Sequence, residues 1–432
     1  MSKKLSRLHQ AAVAALMALP ICNRALAQDA TRPGLLQEAL QDKGWDGGSF
    51  KQFDLHLAGH VEAGAVYVCH DTPGGEMGVG RLFDSKREDP TLHQFAMTLW
   101  RPVEASSREF NWGFTLDVMY GADSRYTQAN GTNFYGSGVA NRQVPVPSSP
   151  NILAIVPGQQ YPENQIDIVQ ANVKFNLPFG EGMVVTAGKF VPPWGQEHID
   201  ATQNLLYSHS YMFGVSQPMT LTGVTVETPV SKEASVMGGL VLGWDQALED
   251  NNDYPSILAQ VKYASPDGWK FVFSGLVGPE QPGNRSDYRW LFDAMLNFDL
   301  TDTIHCGFEG VFGSEPGVST SIASNGARLW VGNSAHWSGA AAYFKYDIDP
   351  AGVWTLVARG EYFNDSAGAR QVISEIYAGT LGVNIVPFQA DPVGSHLMIR
   401  PEIRWDWATD RVFDGNTRHA QISMGADVIF TF

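Results

Sequence analysis

The sequence is poor in cysteine and has no long apolar run beyond its first 27 residues. Its three cysteines match no metal-binding spacing, and no phosphate-binding glycine motif is followed by a helical pattern. A membrane helix needs about 20 apolar residues, and the apolar segment 11–22 is shorter than that. We therefore predict no cofactor, no metal site and no membrane-spanning helix.

Basic residues are scarce relative to acidic ones, with 29 Lys and Arg against 45 Asp and Glu and a net charge of −16. Four of the basic residues lie in the first 27 positions, so the remainder of the chain is more acidic still. This charge argues against a nucleic acid and against an anionic inner-leaflet surface as partners. Acidic external loops could share divalent cations with surrounding lipopolysaccharide, although well-solvated loops explain the composition more simply.

The N-terminal residues have the features of a secretory signal peptide. A basic start at Lys3, Lys4 and Arg7 precedes the apolar run, and the small-residue pattern at 25–27 (ALA) is a cleavage site. Segments of this type direct export and are then removed. We expect residues 1–27 to be a signal peptide and the mature protein to reach the bacterial outer membrane.

The remaining chain begins with a short helical pattern and then changes to strands. Residues 28–52 form a predicted periplasmic segment, in which Leu35, Leu36 and Ala39 have helical spacing. From residue 53 onward apolar and polar residues alternate, which is the pattern of half-buried strands. The predicted strands cover 53–68, 92–102, 111–121, 166–177, 183–193, 219–228, 234–244, 256–264, 269–278, 287–298, 303–313, 335–346, 353–363, 376–388, 396–407 and 420–432.

The lengths of the predicted connections alternate between long and short. Long segments such as 122–165 and 194–218 separate hairpins that are joined by short turns such as 178–182 and 299–302. Pro, Asp and Gly make the short segments tight turns for steric reasons. Long loops at one end and tight turns at the other are typical of outer-membrane barrels.

Side-chain alternation assigns one face of each strand to lipid. In the strand at 396–407, Ile399, Ile403 and Trp405 alternate with charged residues, and the last strand ends on the aromatic Phe432. A basic residue facing lipid at mid-bilayer costs about 2–4 kcal/mol, so we expect the charges to face inward. Aromatic residues near the strand ends predict two girdles, with Trp244 among those on the loop side.

These patterns together predict an all-β fold. The predicted architecture is a transmembrane, antiparallel, up-and-down β-barrel of about 16 strands, with long extracellular loops and short periplasmic turns. We place this outer-membrane β-barrel at 53–432. Closure of the ring leaves no unpaired strand edge in hydrocarbon, where each orphan backbone amide would cost several kcal/mol.

Several short segments resemble the β-barrel porin family described as OmpL-like. These segments are 59–64 (GHVEAG), 112–114 (WGF) with 120–123 (YGAD), 187–190 (AGKF) with 193–195 (PWG), and 207–211 (YSHSY). The resemblance covers most of the chain after residue 27 and is most specific in its first half. It implies an outer-membrane barrel that forms a passive pore without a catalytic site, and it leaves the selectivity of the pore open.

Parity along the strands places charged side chains of both signs on the inward face. About sixteen strands make a ring wide enough to hold water. The inward charges either create a transverse field across a pore or form ion pairs that hold the wall, and both interpretations stay open. The pore-lining candidates are Lys174, Lys189, Lys262, Arg289, Asp293, Glu309, Arg359, Glu361, Arg400, Glu402, Arg404 and Asp406.

The connection 194–218 is a candidate constriction of the lumen. Its apolar centre at 205–207 (LLY) would be poorly placed in water, which favours folding into the lumen over packing on the rim. The longer connection 122–165 competes for this role, but its Asn, Gly, Ser and Pro content is typical of a solvated external loop. The candidate constriction residues are Glu197, Asp200, Tyr207, His209 and Tyr211.

The predicted function is passive diffusion of small hydrophilic solutes or ions through a water-filled barrel. Outer-membrane lipid, lipopolysaccharide and the solute are the expected partners, and a homotrimer stays open. One alternative is an adhesin or structural barrel whose lumen is closed by its loops. Another is a barrel hydrolase using Ser208 and His209, which we disfavour because adjacent residues do not easily form the hydrogen-bonded catalytic pair. We therefore predict no enzymatic activity.

Overall fold

The computed structural model describes residues 34–69, 80–105, 107–132, 162–318, 320–322, 328–330 and 332–432. Sixteen strands form one closed barrel, in which the first strand of the chain pairs with the last. Every neighbouring pair is antiparallel. The predicted fold class is therefore confirmed, whereas the predicted signal peptide at 1–27 lies outside the described residues.

The strands keep close to the bounds expected from the sequence. β12 and β13 form a separate two-stranded antiparallel sheet, and the other sixteen strands form the wall. In chain order the strands are β1 (His56–Val68), β2 (Thr91–Arg101), β3 (Asn111–Gly121), β4 (Gln165–Leu177), β5 (Met183–Phe190), β6 (Leu221–Pro229), β7 (Ala234–Val241), β8 (Ser256–Ala264), β9 (Lys270–Pro279), β10 (Tyr288–Asp299), β11 (Ile304–Glu315), β12 (Thr320–Ile322), β13 (Arg328–Trp330), β14 (Ala335–Asp347), β15 (Trp354–Asn364), β16 (Glu375–Ile385), β17 (Leu397–Ala408) and β18 (Ala420–Thr431).

Short helices lie before the first strand and within the connections. The helical pattern near residue 35 forms α1 (Leu35–Asp42), which docks on β1 because the Gln37 side chain accepts a hydrogen bond from Leu57 N at 2.7 Å. No helix in the described part of the chain is long and apolar enough to cross a membrane. The other helices are α2 (Ser49–Phe53), α3 (Ser124–Thr127) and α4 (Tyr211–Val215), with 3₁₀ turns at Ala201–Gln203 and Gly394–His396.

Two of the strand ends that differ from the prediction have local reasons. The predicted strand 53–68 begins three residues late, since Phe53 still belongs to α2. The predicted strand 183–193 ends at Phe190. Pro192 and Pro193 follow it, and because proline has no N–H to donate to a neighbouring strand, the chain leaves the wall there. That departure starts the longest described connection, which reaches β6 only at Leu221.

The two faces of the wall have opposite chemistry, as the alternation predicts. On β17, Ile403 and Trp405 are exposed on the outer face, whereas Arg404 and Asp406 between them are buried inside the barrel. One predicted girdle residue is misplaced. Trp244 lies beyond the end of β7 and is buried, with its ring 6.1 Å from that of Trp337. It therefore packs inside the barrel and does not meet lipid.

Candidate functional site in the barrel lumen

The connection between β5 and β6, residues 191–220, fills much of the lumen, and we call it the inner loop. It contacts opposite sides of the wall. Gln196 Nε2 donates to Asn297 Oδ1 of β10 at 2.7 Å, Gln94 Nε2 of β2 donates to Ile199 O at 2.7 Å, and Asn384 Nδ2 of β16 donates to Leu205 O at 3.0 Å. The loop therefore crosses the barrel and is anchored at several points around it.

Three arginines of the barrel wall bind the backbone of the inner loop between residues 204 and 209, and we call them the arginine clamp. They are Arg359, Arg400 and Arg404, and all three are almost fully buried. Each guanidinium donates to a backbone carbonyl of the loop, at 2.7 Å from Arg359 to Ser208 O, 2.7 Å from Arg400 to Asn204 O and 2.6 Å from Arg404 to His209 O. Arginine suits this task because its fork of donors satisfies several acceptors at once.

Carboxylates on the wall and the loop balance the charge of the clamp. Arg359 pairs with Glu197 of the inner loop at 2.5 Å, Arg400 pairs with Asp427 at 2.5 Å, and Arg404 pairs with Asp406 at 2.7 Å. A buried charge is costly unless it is paired and hydrogen-bonded. These arginines therefore act as anchors for the loop, without presenting an open positive face to the lumen.

Other carboxylates bind the backbone N–H groups of the inner loop directly. Glu402 accepts from Tyr207 N at 3.0 Å and from Ser208 N at 3.2 Å, Glu361 accepts from Tyr211 N at 2.8 Å, and Glu309 accepts from Gln196 N at 3.0 Å. A loop buried in a barrel has no water to satisfy its amides. The inward acids supply those acceptors, which explains how an irregular segment is tolerated there.

Glycines on the inner face make room for the largest loop side chains. A Cβ built at Gly425 would lie 2.9 Å from Tyr207 Cδ1, and one at Gly339 would lie 2.6 Å from Met212 Cγ. A Cβ at Gly382 would lie 2.8 Å from Leu206 Cδ2. Contacts this short are almost never seen between real atoms, so the wall is shaped to the docked loop.

Apolar residues on the inner face pack against the loop. Ile429 is the one apolar residue on the otherwise polar face of β18, and it is fully buried in a cluster with Ala201, Val386 and Met398. A larger cluster joins loop residues Leu205, Leu206, Tyr211 and Met212 to the wall. The inward face is thus partly apolar where the loop rests on it.

The connection between β1 and β2 also enters the barrel, which sequence reasoning missed. Arg81 donates to Asp84 and, at 2.9 Å, to Asp406 of β17. Phe83 lies with its ring centroid 4.8 Å from His209 and 5.6 Å from Phe213. This segment therefore packs on the inner loop and on β17 inside the barrel. A signal was present in the two apolar residues flanked by charges at 81–84 (RLFD), within a connection that was otherwise interpreted as external.

Burial shifts the titration of the loop groups. Burial lowers the pKa of His209 and His198 below the ordinary histidine range, although nearby carboxylates such as Glu197 partly offset this effect. His209 Nδ1 and His198 Nε2 have no hydrogen-bond partner within the described residues. Nearby Arg81 lowers the pKa of Asp84 against the opposing effect of burial. Both histidines are therefore neutral, and Asp84 is ionised, near pH 7.

The structure brings the sequence-predicted residues together inside one barrel. All twelve pore-lining candidates lie on wall strands and eleven of them are buried, with Lys174 partly exposed. Several are engaged in ion pairs, as in Lys189 with Asp167, Lys262 with Glu227 and Arg289 with Glu315. The five constriction candidates all belong to the inner loop. Their roles in solute passage stay predictions.

The partners that complete these ion pairs were not singled out from the sequence. Asp167, Glu227 and Glu315 each bind one of the predicted lumen cations. Asp293 faces Glu309 on the next strand instead of a cation, and both are buried. Parity alone would not have found Asp167, because it lies seven residues from Lys174 and a register shift between Gln170 and Ile168 in β4 turns it inward.

A cavity of about 300 Å³ lies between the inner loop and strands β1 to β4. Its lining is mixed, with Thr98, Gln170 and Thr202 among the polar side chains and Ala58, Val169 and Ile199 among the apolar ones. The charged residues of the lining are Asp117 of β3 and Asp200 of the loop, with His60 and His198 as the histidines. The cavity is large enough for several water molecules, so it is a part of the lumen that the loop leaves unfilled.

The Ser208–His209 pair does not have the geometry of a hydrolase site. Ser208 Oγ lies 3.4 Å from Arg359 Nη2 and 3.5 Å from Arg404 Nη1, whereas His209 Nε2 lies 3.1 Å from Asn204 Nδ2. A serine nucleophile needs its hydroxyl on a base, and here it is turned toward guanidinium groups. The described residues also contain no group of three His, Cys, Asp or Glu side chains suited to a metal ion.

Solved structures with the same fold are outer-membrane proteins. The outer-membrane channel DcaP of Acinetobacter baumannii matches 88% of this chain and 97% of its own, at 12% identity and a TM-score of 0.53. The match to an anion-selective porin from Comamonas acidovorans covers 88% of this chain and 99% of that porin, at 10% identity and a TM-score of 0.53. The match to OmpF of Salmonella typhi, solved in complex with daunomycin, covers 88% of this chain and 97% of OmpF, at 8% identity and a TM-score of 0.54.

At these identities the solved structures establish the fold alone. No curated protein sequence matches the chain. The family comparison is decisive, because one family model, described as "Putative beta-barrel porin-2, OmpL-like", matches residues 54–432 and so spans the whole barrel. The chain belongs to this OmpL-like β-barrel porin family, and it is a porin.

Proposed function

We propose that this porin lies in the bacterial outer membrane and passes small hydrophilic solutes by passive diffusion along the polar side of its inner loop. The observation that carries the proposal is the cavity of about 300 Å³ between the loop and strands β1 to β4. On β15 and β17 the arginine clamp and wall carboxylates bind the loop to the wall. The inner loop therefore narrows the lumen and directs solutes to one side.

The chemistry of the lumen supports diffusion in preference to catalysis. Many of its buried charges are paired with one another or bound to loop backbone, as in Arg404 with Glu361 at 3.1 Å, so these groups are not free to attack a substrate. Outer-membrane lipid and lipopolysaccharide are the proposed surroundings of the exposed apolar face. Export by the predicted signal peptide at 1–27 belongs to the same proposal, as does a homotrimer.

The test is planar-bilayer recording of the purified, refolded chain. We expect stable ohmic steps in potassium chloride, and none from the same preparation after it has been heat-unfolded. Folding is monitored in parallel by the faster migration of a folded barrel on an unheated gel. A folded, inserted barrel that passes no current would contradict the proposal.

One observation gives a second candidate function some support. The inner loop and the segment Arg81–Asp84 both pack inside the barrel, and Phe83 and Phe213 at their contact are buried. A barrel whose loops close the lumen would be a structural or adhesive protein. Bilayer recording separates the two functions, since the closed barrel inserts and stays silent under every voltage applied.

A further inference from the structure

The charges in the lining of the open cavity are unbalanced. Asp117 and Asp200 are the carboxylates in its lining, and the described lining contains no lysine or arginine. The Asp200 side chain is 34% exposed. Both aspartates therefore face the space through which a solute would pass.

The hydrogen bonds of these aspartates leave their negative charge in place. Asp117 Oδ1 accepts from Thr98 Oγ1 at 3.3 Å. Asp200 accepts from Thr202 N at 2.9 Å and from Gln203 Nε2 at 3.1 Å. These donors are neutral, and the nearest basic group of the lining is His60, whose Nδ1 lies 3.6 Å from Asp200 Oδ1.

The positive groups of the lumen are neutralised by carboxylates other than these two aspartates. Arg400 donates to Ala201 O, beside Asp200, at 3.0 Å, but its charge is paired with Asp427 and Glu62. Arg359 and Arg404 are paired with Glu197 and Asp406, and Lys189 and Lys262 are paired with Asp167 and Glu227 at 3.3 Å and 3.1 Å. These cations are thus held in ion pairs, whereas the cavity lining holds two carboxylates and no lysine or arginine.

We infer that Asp117 and Asp200 make this pore selective for cations, with hydrated monovalent cations and compact amines as the favoured solutes. The inference rests on the proposed channel function. Acidic groups between low-dielectric walls raise the local cation concentration and exclude anions. Trp100 adds an aromatic face to the same lining, stacked on His56 at 5.2 Å, and aromatic faces attract cations.

The experiment measures the reversal potential of single channels in a tenfold gradient of potassium chloride. The wild type should favour potassium, and Asp117→Asn and Asp200→Asn should each lower the potassium-to-chloride permeability ratio by roughly threefold, the effect of one charge about 6 Å away in water. Asparagine keeps an oxygen acceptor for Thr98 and Thr202, so the loop stays docked. Asp302→Asn, in the exposed turn before β11, is the matched control and should leave the ratio unchanged.

A charge of opposite sign provides an independent variant. Gln203→Lys places a cation in the same lining and should lower the permeability ratio further than either asparagine variant. Wild-type channels that conduct but favour chloride would overturn the inference and leave the channel function standing. So would potassium-selective channels whose ratio is unchanged in both aspartate variants, which must migrate as folded barrels. Absence of any conductance would instead overturn the channel function itself.

Discussion

Replacing Arg404 by alanine should release the inner loop while leaving the barrel intact. The Arg404 side chain is 1% exposed and donates to His209 O at 2.6 Å, to Glu361 at 3.1 Å and to Asp406 at 2.7 Å. Breaking a buried pair by removing one partner costs about 3–5 kcal/mol. Both carboxylates keep a second cation, Arg359 for Glu361 and Arg81 for Asp406, so we expect a cost near the lower limit.

The substitution should weaken loop docking and leave the barrel wall intact, because the backbone pairing of β17 with β16 and β18 does not involve the Arg404 side chain. A cost of about 3 kcal/mol corresponds to a change of about a hundredfold in the docking equilibrium. Chymotrypsin added to the folded protein reports on it, since Leu205, Leu206 and Tyr207 are cleavable only when the loop leaves the lumen. Mass spectrometry then identifies the cut.

The control for this experiment is Arg285→Ala. Arg285 and its partner Asp253 are both largely exposed, and an exposed pair of this kind contributes about 0–1 kcal/mol. The Arg404→Ala barrel should be cut between 205 and 207 much faster than the wild type, and the Arg285→Ala barrel at the wild-type rate. Equal cleavage of all three, with folded migration retained, would refute the assignment of Arg404 as an anchor of the loop.

Three further results are expected. Ile403 lies on the exposed outer face of β17, so Ile403→Arg should destabilise the folded barrel in bilayers by about 2–4 kcal/mol, whereas Ile403→Leu should not. Urea titration in vesicles measures this change. An unchanged unfolding midpoint for Ile403→Arg would show that this face does not meet lipid. The lowered pKa values of His198 and His209 mean that the undocked loop binds more protons than the docked loop. The contribution of the two neutral histidines to loop docking is therefore complete above about pH 6.5 and is lost as the pH falls through these pKa values. Current noise should rise toward acid pH, and a flat profile from about pH 7.5 to about 4.5 would contradict this. A valine side chain at position 425 would clash with Tyr207, so Gly425→Val should raise channel noise or conductance. Gly360→Val should not, because position 360 has open space around it. Identical recordings from both variants would mean that the wall does not shape the loop.

The wall of the barrel could be predicted from the sequence because its physics is local. Alternation depends on side chains two residues apart, and turn residues depend on steric preferences of single positions. Each of the sixteen barrel strands overlaps its predicted range, including β6 and β7, where Thr, Gly and Val blur the alternation. The errors fall at strand ends such as Phe190, where Pro192 and Pro193 stop the pairing and the chain turns into the lumen.

The interior could be predicted only in outline. The apolar centre of 205–207 pointed toward the lumen, but the pairing of Glu197 with Arg359 joins residues 162 positions apart, and no periodicity reports such a contact. Apolar residues on the inward face were the missed signal. Ile429 stood out as an exception on β18, and its place beside Ala201 explains it. An apolar residue on the polar face of a barrel strand indicates a segment packed inside.

The most direct test compares the single-channel conductance of the full chain with that of a chain in which a short Gly-Ser linker replaces residues 200–212. If the inner loop, and not the ring of strands, sets the open cross-section of the pore, the conductance should increase at least twofold and larger sugars should enter in a vesicle-swelling assay. A shortened barrel that folds and conducts as the full chain does would contradict this role of the inner loop.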